Sequence, residues 1–119
     1  MSTASPVGAY TPAVRASDWL IVSGQVGIDA EGQLVPGGTA GELRQAIANL
    51  EAHLDTHGAR LDQVVKTTVF LRHMSDYDLM NEVYVECFGD HRPARSAIGV
   101  AELPIGALIE IEAWAYLAP

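Results

Sequence analysis

Several features that would indicate a class of function are scarce or missing in this 119-residue chain. It has a single cysteine, Cys87, which excludes an internal disulfide and a cysteine-based zinc site. Basic residues number 7 against 15 acidic ones, and the net charge of -8 with no basic patch argues against nucleic-acid or anionic-membrane partners. No apolar run approaches the roughly 20 residues of a membrane span. Residues 1–6 lack the basic and apolar regions of a secretory signal, so we expect a cytoplasmic protein.

Apolar residues, in contrast, are plentiful. Hydrophobic residues make up 49% of the chain and charged residues 18%, which leaves more apolar surface than a small monomer can hide. The length suits one domain, and no repeat or linker divides it. We therefore expect a single domain over residues 1–119 that associates with copies of itself.

Runs of β-branched residues, turn residues and helical periodicity predict the order of elements as β-β-β-α-β-α-β-β. The predicted strands cover residues 7–15, 19–26, 33–35, 64–71, 96–100 and 108–117, and the predicted helices cover residues 39–58 and 75–88. This order is typical of an α+β sandwich with two helices on one face of a mixed sheet of about six strands. Copies of the chain in a closed ring would cover bulky groups on the bare face, such as Trp19 and Trp114.

Local signals predict where the helices begin and end. Thr39 and Glu42 have the spacing of a capping box at the start of the first helix. Gly58 is a natural C-terminal stop, and Ser75 is expected to cap the second helix.

Apolar residues recur at helical spacing in both predicted helices. In the first they are Leu43, Ala46, Ile47, Leu50 and Leu54. In the second they are Tyr77, Met80, Tyr84, Cys87 and Phe88. We interpret both stripes as core faces, the aromatic residues of the second as core rather than a stacking platform, and its thiol as an inert packed group.

Signals for metal, nucleotide or nucleophile chemistry are weak. His53 and His57, near the end of the first helix, suit its dipole and have no further partner ligand at helical spacing. Residues 37–41 open a helix but lack the lysine of a phosphate-binding loop. No Ser-His-Asp arrangement can be written.

Arg95 is a candidate binding residue because it stands in the sequence Pro93-Ala94-Arg95-Ser96, where a loop becomes a strand. Its planar guanidinium can grip a carboxylate through two charge-assisted hydrogen bonds. In so acidic a chain, an ion pair with one of the protein's own carboxylates is the alternative reading.

Glu110 and Glu112 point the same way on the last predicted strand. An apolar environment raises the proton affinity of a glutamate, which would suit it to handling a proton on a bound water. A solvated strand face is the alternative.

Motifs spread along residues 6–115 resemble the reactive intermediate deaminase family, also called RidA or YjgF. They are Gly8-Ala9-Tyr10, Val22-Ser23-Gly24-Gln25, Asn49-Leu50, the strand at residues 64–71, Asn81-Glu82-Val83-Tyr84, Pro93-Ala94-Arg95-Ser96, Leu103-Pro104 and Glu110-Ile111-Glu112-Ala113. The resemblance implies a chorismate-mutase-like α+β fold and a homotrimer with sites in the clefts between subunits.

The resemblance also implies hydrolysis of enamines and imines such as 2-aminoacrylate, released by pyridoxal-phosphate enzymes, to 2-keto acids and ammonia, without a metal or cofactor. In that reading Arg95 binds the substrate carboxylate and Glu110 positions the attacking water. The matching lining positions are Tyr10, Ser23, Gly24, Asn81 and Ala97.

Two positions depart from the family pattern. The usual Gly-Pro-Tyr has Ala9 in place of proline, and Ala97 stands where a small polar residue or cysteine is common. The resemblance therefore implies the general activity rather than the preferred substrate. A trimer that binds small carboxylates or keto acids without turnover is a second hypothesis, and a nuclease role, known for some relatives, is a third that the acidic charge disfavours.

Overall fold

The computed structural model describes residues 8–119. The strands are β1 (Ala13–Ala16), β2 (Trp19–Val26), β3 (Val64–Leu71), β4 (Ala94–Gly99) and β5 (Ile109–Tyr116), and the helices are α1 (Gly38–Thr56) and α2 (Tyr77–Phe88). Short 3-10 turns cover Leu61–Gln63, Met74–Asp76 and Pro104–Gly106. The strands form one sheet in the order β1-β2-β5-β3-β4, in which β3 and β4 are parallel and the other pairs are antiparallel. The predicted α+β architecture, with both helices on one face of a mixed sheet, is confirmed.

The predicted count of about six strands is wrong, because residues 33–35 do not form a strand. Asp29 Oδ1 accepts hydrogen bonds from the backbone N–H groups of Glu31 and Gln33, at 2.9 and 3.0 Å. This side-chain turn closes the loop so tightly that pairing is reduced to one isolated bridge between Ile28 and Leu34. Five strands are described in residues 8–119.

The predicted capping box at the start of α1 is also wrong. The helix begins at Gly38, and its N-cap, Gly37, has a left-handed backbone. Thr39 Oγ1 instead donates a hydrogen bond to Asp76 Oδ2 at 2.6 Å, and Glu42 Oε1 accepts one from the N–H of Leu108 at 2.9 Å. Both side chains therefore join α1 to distant segments rather than capping their own helix.

Of the predictions for the start of α2 and the end of α1, the first is wrong and the second is confirmed. Ser75 lies in the 3-10 turn before α2 and does not cap that helix. Gly58 does end α1: its φ is 73°, and the N–H groups of Gly58 and Ala59 donate to the carbonyls of Asp55 and Leu54. These two bonds form a Schellman motif.

The core lies between the helices and the sheet. The predicted stripe of α1 is buried there together with alternate residues of the strands, and cutting such a side chain back to alanine typically costs about 2–5 kcal/mol. Fully buried members include Leu20, Leu43, Leu50, Leu54, Val64, Val69, Leu71, Ile109 and Ile111. On α2, Met80, Tyr84 and Phe88 are buried as predicted, whereas Tyr77 is 37% exposed. Burial raises the pKa of the Cys87 thiol, in keeping with an inert packed group.

The other face of the sheet carries no helix. Here Trp19 packs against Trp114 and Tyr116, with ring centroids 5.8 and 5.0 Å apart. Trp114 and Tyr116 remain 42% and 45% exposed. We call this surface the open face.

Candidate active site

Most of the residues singled out in the sequence line two separate cavities. The first, which we call the Glu110 cavity, has a volume of 220 Å³ and is lined by Tyr10, Ser23, Gly24, Val26, Pro104 and Glu110. The second, the Arg95 cavity, has a volume of 360 Å³ and is lined by Asn81, Tyr84, Val85, Arg92, Pro93 and Arg95. Ala97 follows Arg95 by two residues, is partly buried against the core and lines neither cavity.

Glu110 and Arg95 lie on opposite faces of the sheet. Glu110 stands between two fully buried residues of β5, Ile109 and Ile111, whose side chains face the helices. Because successive side chains of a strand alternate, the Glu110 side chain lies on the open face. Arg95 is paired in the parallel β3–β4 ladder with Thr67, which is fully buried beneath α2, so Arg95 faces the helices. The sheet therefore separates the two side chains within one chain.

A β-bulge in β2 shapes the Glu110 cavity. Val22 pairs with Ala113 and Gln25 with Ile111, so Ser23 and Gly24 together oppose a single residue of β5. Ser23 donates from both Oγ and N–H to carbonyls in the segment before β1, those of Thr11 and Pro12, each at 2.8 Å. The bulge thus anchors the segment that brings Tyr10 to the cavity.

Glu110 packs directly against the backbone of Gly24. A Cβ atom at position 24 would lie 2.5 Å from Glu110 Oε2 and 2.7 Å from its carboxyl carbon. Only glycine leaves room for the carboxyl group at this place.

Burial raises the pKa of the Glu110 carboxyl, and the nearby charge of Glu112 raises it further, which is the direction predicted from the apolar surroundings. A carboxyl with a raised pKa both accepts and returns protons more readily near neutral pH. The group is therefore suited to acid–base chemistry on a bound water.

Three side chains of α2 hold the Arg95 guanidinium. Nη2 donates to the Tyr77 hydroxyl at 3.2 Å, and Nη1 lies 3.4 Å from the Met80 sulfur. The guanidinium carbon is 4.9 Å from the centroid of the Tyr84 ring, a cation–π contact. Tyr84 is itself fixed by a 2.8 Å hydrogen bond between its hydroxyl and Thr67 Oγ1.

Arg95 has no carboxylate partner in residues 8–119. The ion pairs of this region join Arg44 to Glu86 and Arg60 to Asp62, so the alternative reading of Arg95 as one half of an ion pair is not observed. Arg92, in the wall of the same cavity, donates to the backbone carbonyls of Gly89 and His91. The Arg95 cavity thus presents two guanidinium groups and an amide, a set suited to an anionic ligand.

Sequence reasoning missed several residues of these sites, among them Tyr77, Met80, Arg92 and Pro104. The helical spacing of the first two indicates core and nothing more. The order of elements does contain a signal. Because β4 follows α2 and runs parallel to β3, the helix-facing side chains of β4 are expected to lie next to α2. The spacing alone does not say which members of the stripe meet the arginine.

Neither a metal site nor a membrane-spanning helix is found in the part of the chain that the structure describes. Within residues 8–119 no group of three or more His, Cys, Asp or Glu side chains could hold a metal ion. No helix of this region is both long and apolar enough to cross a membrane.

Comparisons with known proteins agree with the motifs. A family model described as Endoribonuclease L-PSP matches residues 1–117. A rat protein named 2-iminobutanoate/2-iminopropanoate deaminase is 47% identical over 114 residues, which are 95% of this chain and 83% of the relative. A RutC family protein of Pyrococcus horikoshii is 45% identical over 112 residues, 93% of this chain and 89% of the relative. The crystal structure of RidA from an Antarctic Psychrobacter has a TM-score of 0.92 and 36% identity, over 96% of this chain and 93% of that one. This chain belongs to the RutC/RidA/YjgF family, which the family model describes as Endoribonuclease L-PSP.

Proposed function

We propose that this protein hydrolyses 2-imino acids and their 2-enamine tautomers to 2-keto acids and ammonia, without a cofactor. Suitable substrates are 2-aminoacrylate and 2-iminobutyrate released by pyridoxal-phosphate enzymes. The rat, mouse and human relatives named 2-iminobutanoate/2-iminopropanoate deaminase, 47%, 46% and 44% identical, support this activity. The observation that carries it is Arg95, a guanidinium held in a cavity with no carboxylate partner from residues 8–119.

The site is a composite of two chains. Because the sheet separates Arg95 from Glu110, one small molecule cannot touch both side chains of a single chain. A second copy can supply the missing half, and we place the site in the cleft between neighbouring subunits of a homotrimer. The family resemblance and the exposed Trp114 and Tyr116 of the open face support this assembly.

Within the cleft, the Arg95 cavity binds the substrate carboxylate. The guanidinium fork provides two charge-assisted hydrogen bonds, and Asn81 offers an amide beside it. Ala97, two residues after Arg95 on the same face of β4, packs against the core and lines neither cavity within one chain. Tyr10, Ser23 and Gly24 of the neighbouring chain line the opposite wall around Glu110.

The chemistry begins with a water held by Glu110. As the water oxygen attacks the carbon of the protonated imine, the Glu110 carboxylate takes one water proton and a neutral carbinolamine forms. The carboxyl then returns that proton to the nitrogen. As the carbon–nitrogen bond breaks, the carboxylate takes the hydroxyl proton and passes it to the departing ammonia, so that ammonium and the 2-keto acid leave. For an enamine, protonation of the β-carbon by the Glu110 carboxyl gives the imine first. An imine is already electrophilic, so orientation and a placed water supply most of what the reaction needs.

The test is keto-acid formation from imines generated in place by a pyridoxal-phosphate dehydratase, with a panel of side-chain sizes. We expect Arg95→Ala to lower kcat/KM about a hundredfold or more because the carboxylate loses both hydrogen bonds. Glu110→Gln should lower kcat by about 10²–10⁴ because general acid–base catalysis is lost. Arg60→Ala, which removes an arginine outside both cavities, is the matched control. Parental rates in both site variants would contradict the proposal.

Two further experiments test the carboxylate-binding and nuclease hypotheses. Calorimetry that shows tight binding of a 2-keto acid together with no turnover of any imine would identify a carboxylate-binding trimer, since that role uses the same Arg95 cavity. Incubation with single-stranded RNA at low and high salt addresses the endoribonuclease description of the family model. We expect neither binding nor cleavage, because a net charge of -8 repels the phosphate backbone.

A further inference from the structure

We propose that Tyr77 is a positioning residue for the Arg95 guanidinium and thereby sets the affinity of the site for the substrate carboxylate. The inference rests on the proposed function, in which Arg95 binds that carboxylate. Nothing in the sequence pattern distinguishes Tyr77 from the core residues of α2.

The Tyr77 hydroxyl is the oxygen that α2 offers to Arg95. It accepts a hydrogen bond from Nη2 at 3.2 Å, and the Tyr77 ring centroid lies 5.7 Å from the guanidinium carbon. The Tyr84 ring supports the flat face of the guanidinium, but a ring face leaves rotation within the plane free. The directional bond to Tyr77 fixes that rotation, together with the weaker contact of Nη1 to the Met80 sulfur.

Tyr77 contributes little to the packing of the fold. It is 37% exposed, whereas Met80 and Tyr84, on the same helix, are 0% and 3% exposed. The hydroxyl of Tyr84 is already bonded to Thr67, so it is committed to the core. A ring that contributes little burial, with a hydroxyl aimed at a guanidinium, is better explained by Arg95 than by packing.

The backbone that carries Tyr77 is itself held in place. Tyr77 is the first residue of α2 and directly follows Asp76, whose carboxylate accepts the 2.6 Å hydrogen bond from Thr39 of α1. The start of α2 is therefore tied to the longest helix of the protein. A fixed Tyr77 lets Arg95 meet its ligand with the fork already oriented, so less side-chain entropy is lost on binding.

Tyr77→Phe is the sharp test, because it removes one oxygen and keeps the ring. We expect KM for 2-iminobutyrate, and the inhibition constant of the product keto acid, to rise about three- to tenfold, the size of one net hydrogen bond. The kcat should stay within about twofold, since the interaction serves substrate and transition state alike. Arg60→Ala, a change outside both cavities, should leave KM unchanged. Thermal unfolding of both variants should match the parent.

A second background separates a positioning role from a structural one. In Arg95→Lys protein the fork is absent, so adding Tyr77→Phe should change KM less than it does in the parent. If Tyr77→Phe leaves KM unchanged, or raises it equally in both backgrounds, the inference is overturned. If Arg95→Ala itself has parental kinetics, the proposed function fails instead, whatever the tyrosine does.

Discussion

The Arg95 cavity and the Glu110 cavity are built by different means. Arg95 is held by side chains of α2 that surround the guanidinium with an oxygen, a sulfur and a ring face. Glu110 is positioned by the backbone, through a bulge, a glycine and the segment that Ser23 anchors. The Arg95 cavity depends on side-chain atoms that contact the guanidinium, whereas the Glu110 cavity depends on the absence of a Cβ atom at Gly24. The two halves should therefore respond to different kinds of substitution.

The largest expected effect is complementation between two variant chains, because the sheet separates Arg95 from Glu110 within one chain. Arg95→Ala and Glu110→Gln chains, each strongly impaired alone, should regain turnover when they are co-expressed with different tags and purified through both. In a mixed trimer of either composition, one of the three clefts combines an intact Arg95 with an intact Glu110. The kcat per trimer should reach about one-third of the parental value.

A doubly substituted chain is the control for this complementation. Co-expression of the Arg95→Ala, Glu110→Gln double variant with either single variant leaves no complete cleft and should give no turnover. Mixed trimers of the two single variants without activity would contradict the composite site, even if each residue proved essential.

An intermediate effect is expected from Gly24→Ala. The added Cβ would stand 2.5 Å from Glu110 Oε2, so the carboxyl must move from its position beside Gly24. Such a displacement should lower kcat by about ten- to a hundredfold while KM changes little, because the Arg95 cavity is untouched. Steady-state kinetics of the purified variant measure both constants.

Gly32→Ala is the matched control for that variant. Gly32 has a φ of 77°, and a Cβ at this position would have no atom within 4 Å, so alanine there strains the backbone without approaching either cavity. It should lower the melting temperature and leave kcat at the parental value. A kcat for Gly24→Ala as high as that of Gly32→Ala would mean that Gly24 does not position Glu110.

The smallest effect concerns stability and pH. Because burial raises the pKa of Glu110 in the folded protein, the folded state holds this proton more tightly than the unfolded state does. The contribution of Glu110 to stability therefore falls as pH rises from the ordinary value of 4.5 through the raised folded value. Glu110→Gln removes this pH-dependent loss of stability. It should raise the melting temperature at pH 7 and leave it unchanged at pH 4.

Glu51→Gln is the control for the pH effect, since it makes the same change at an exposed glutamate of α1, on the other face of the sheet. Unfolding scans at pH 4 and pH 7 on all three proteins give the comparison. A Glu110→Gln variant that is no more stable than the parent at pH 7 would show that burial of the carboxyl carries no penalty in the assembled protein.

Much of the fold could be predicted from the sequence because its signals are periodic and local. The stripe of α1, the alternation of β5 and the stop at Gly58 each depend on neighbours within the same element. The failures occur where a side chain has a distant partner. Thr39 and Glu42 have the spacing of a cap, yet bonds to Asp76 and to the Leu108 N–H take them away from their own helix. In the short segment at residues 33–35, the Asp29 turn takes the place of strand pairing.

The candidate site could be predicted in its residue types and not in its arrangement. Motif and chemistry single out Arg95 and Glu110, and the resemblance to the family supplies their proposed roles. The face of the sheet on which each side chain lies follows only from the pairing of the strands. Arg95 aligns with the buried Thr67, a fact set by strand order and register rather than by any pattern within β4. The bulge at Ser23 and Gly24 is similarly invisible until β2 is paired with β5.

The aromatic cluster of the open face has an optical consequence. The chain has two tryptophans, and both belong to this cluster, at 5.8 Å from each other. The aromatic residues around Arg95 are tyrosines, Tyr77 and Tyr84. Emission excited at the red edge of the absorption band therefore originates from one surface of the molecule, where the partly exposed Trp114 senses the polarity of whatever covers it. The natural tryptophan fluorescence of the protein therefore reports on the open face of the sheet, whereas the face that carries Arg95 contributes no tryptophan emission.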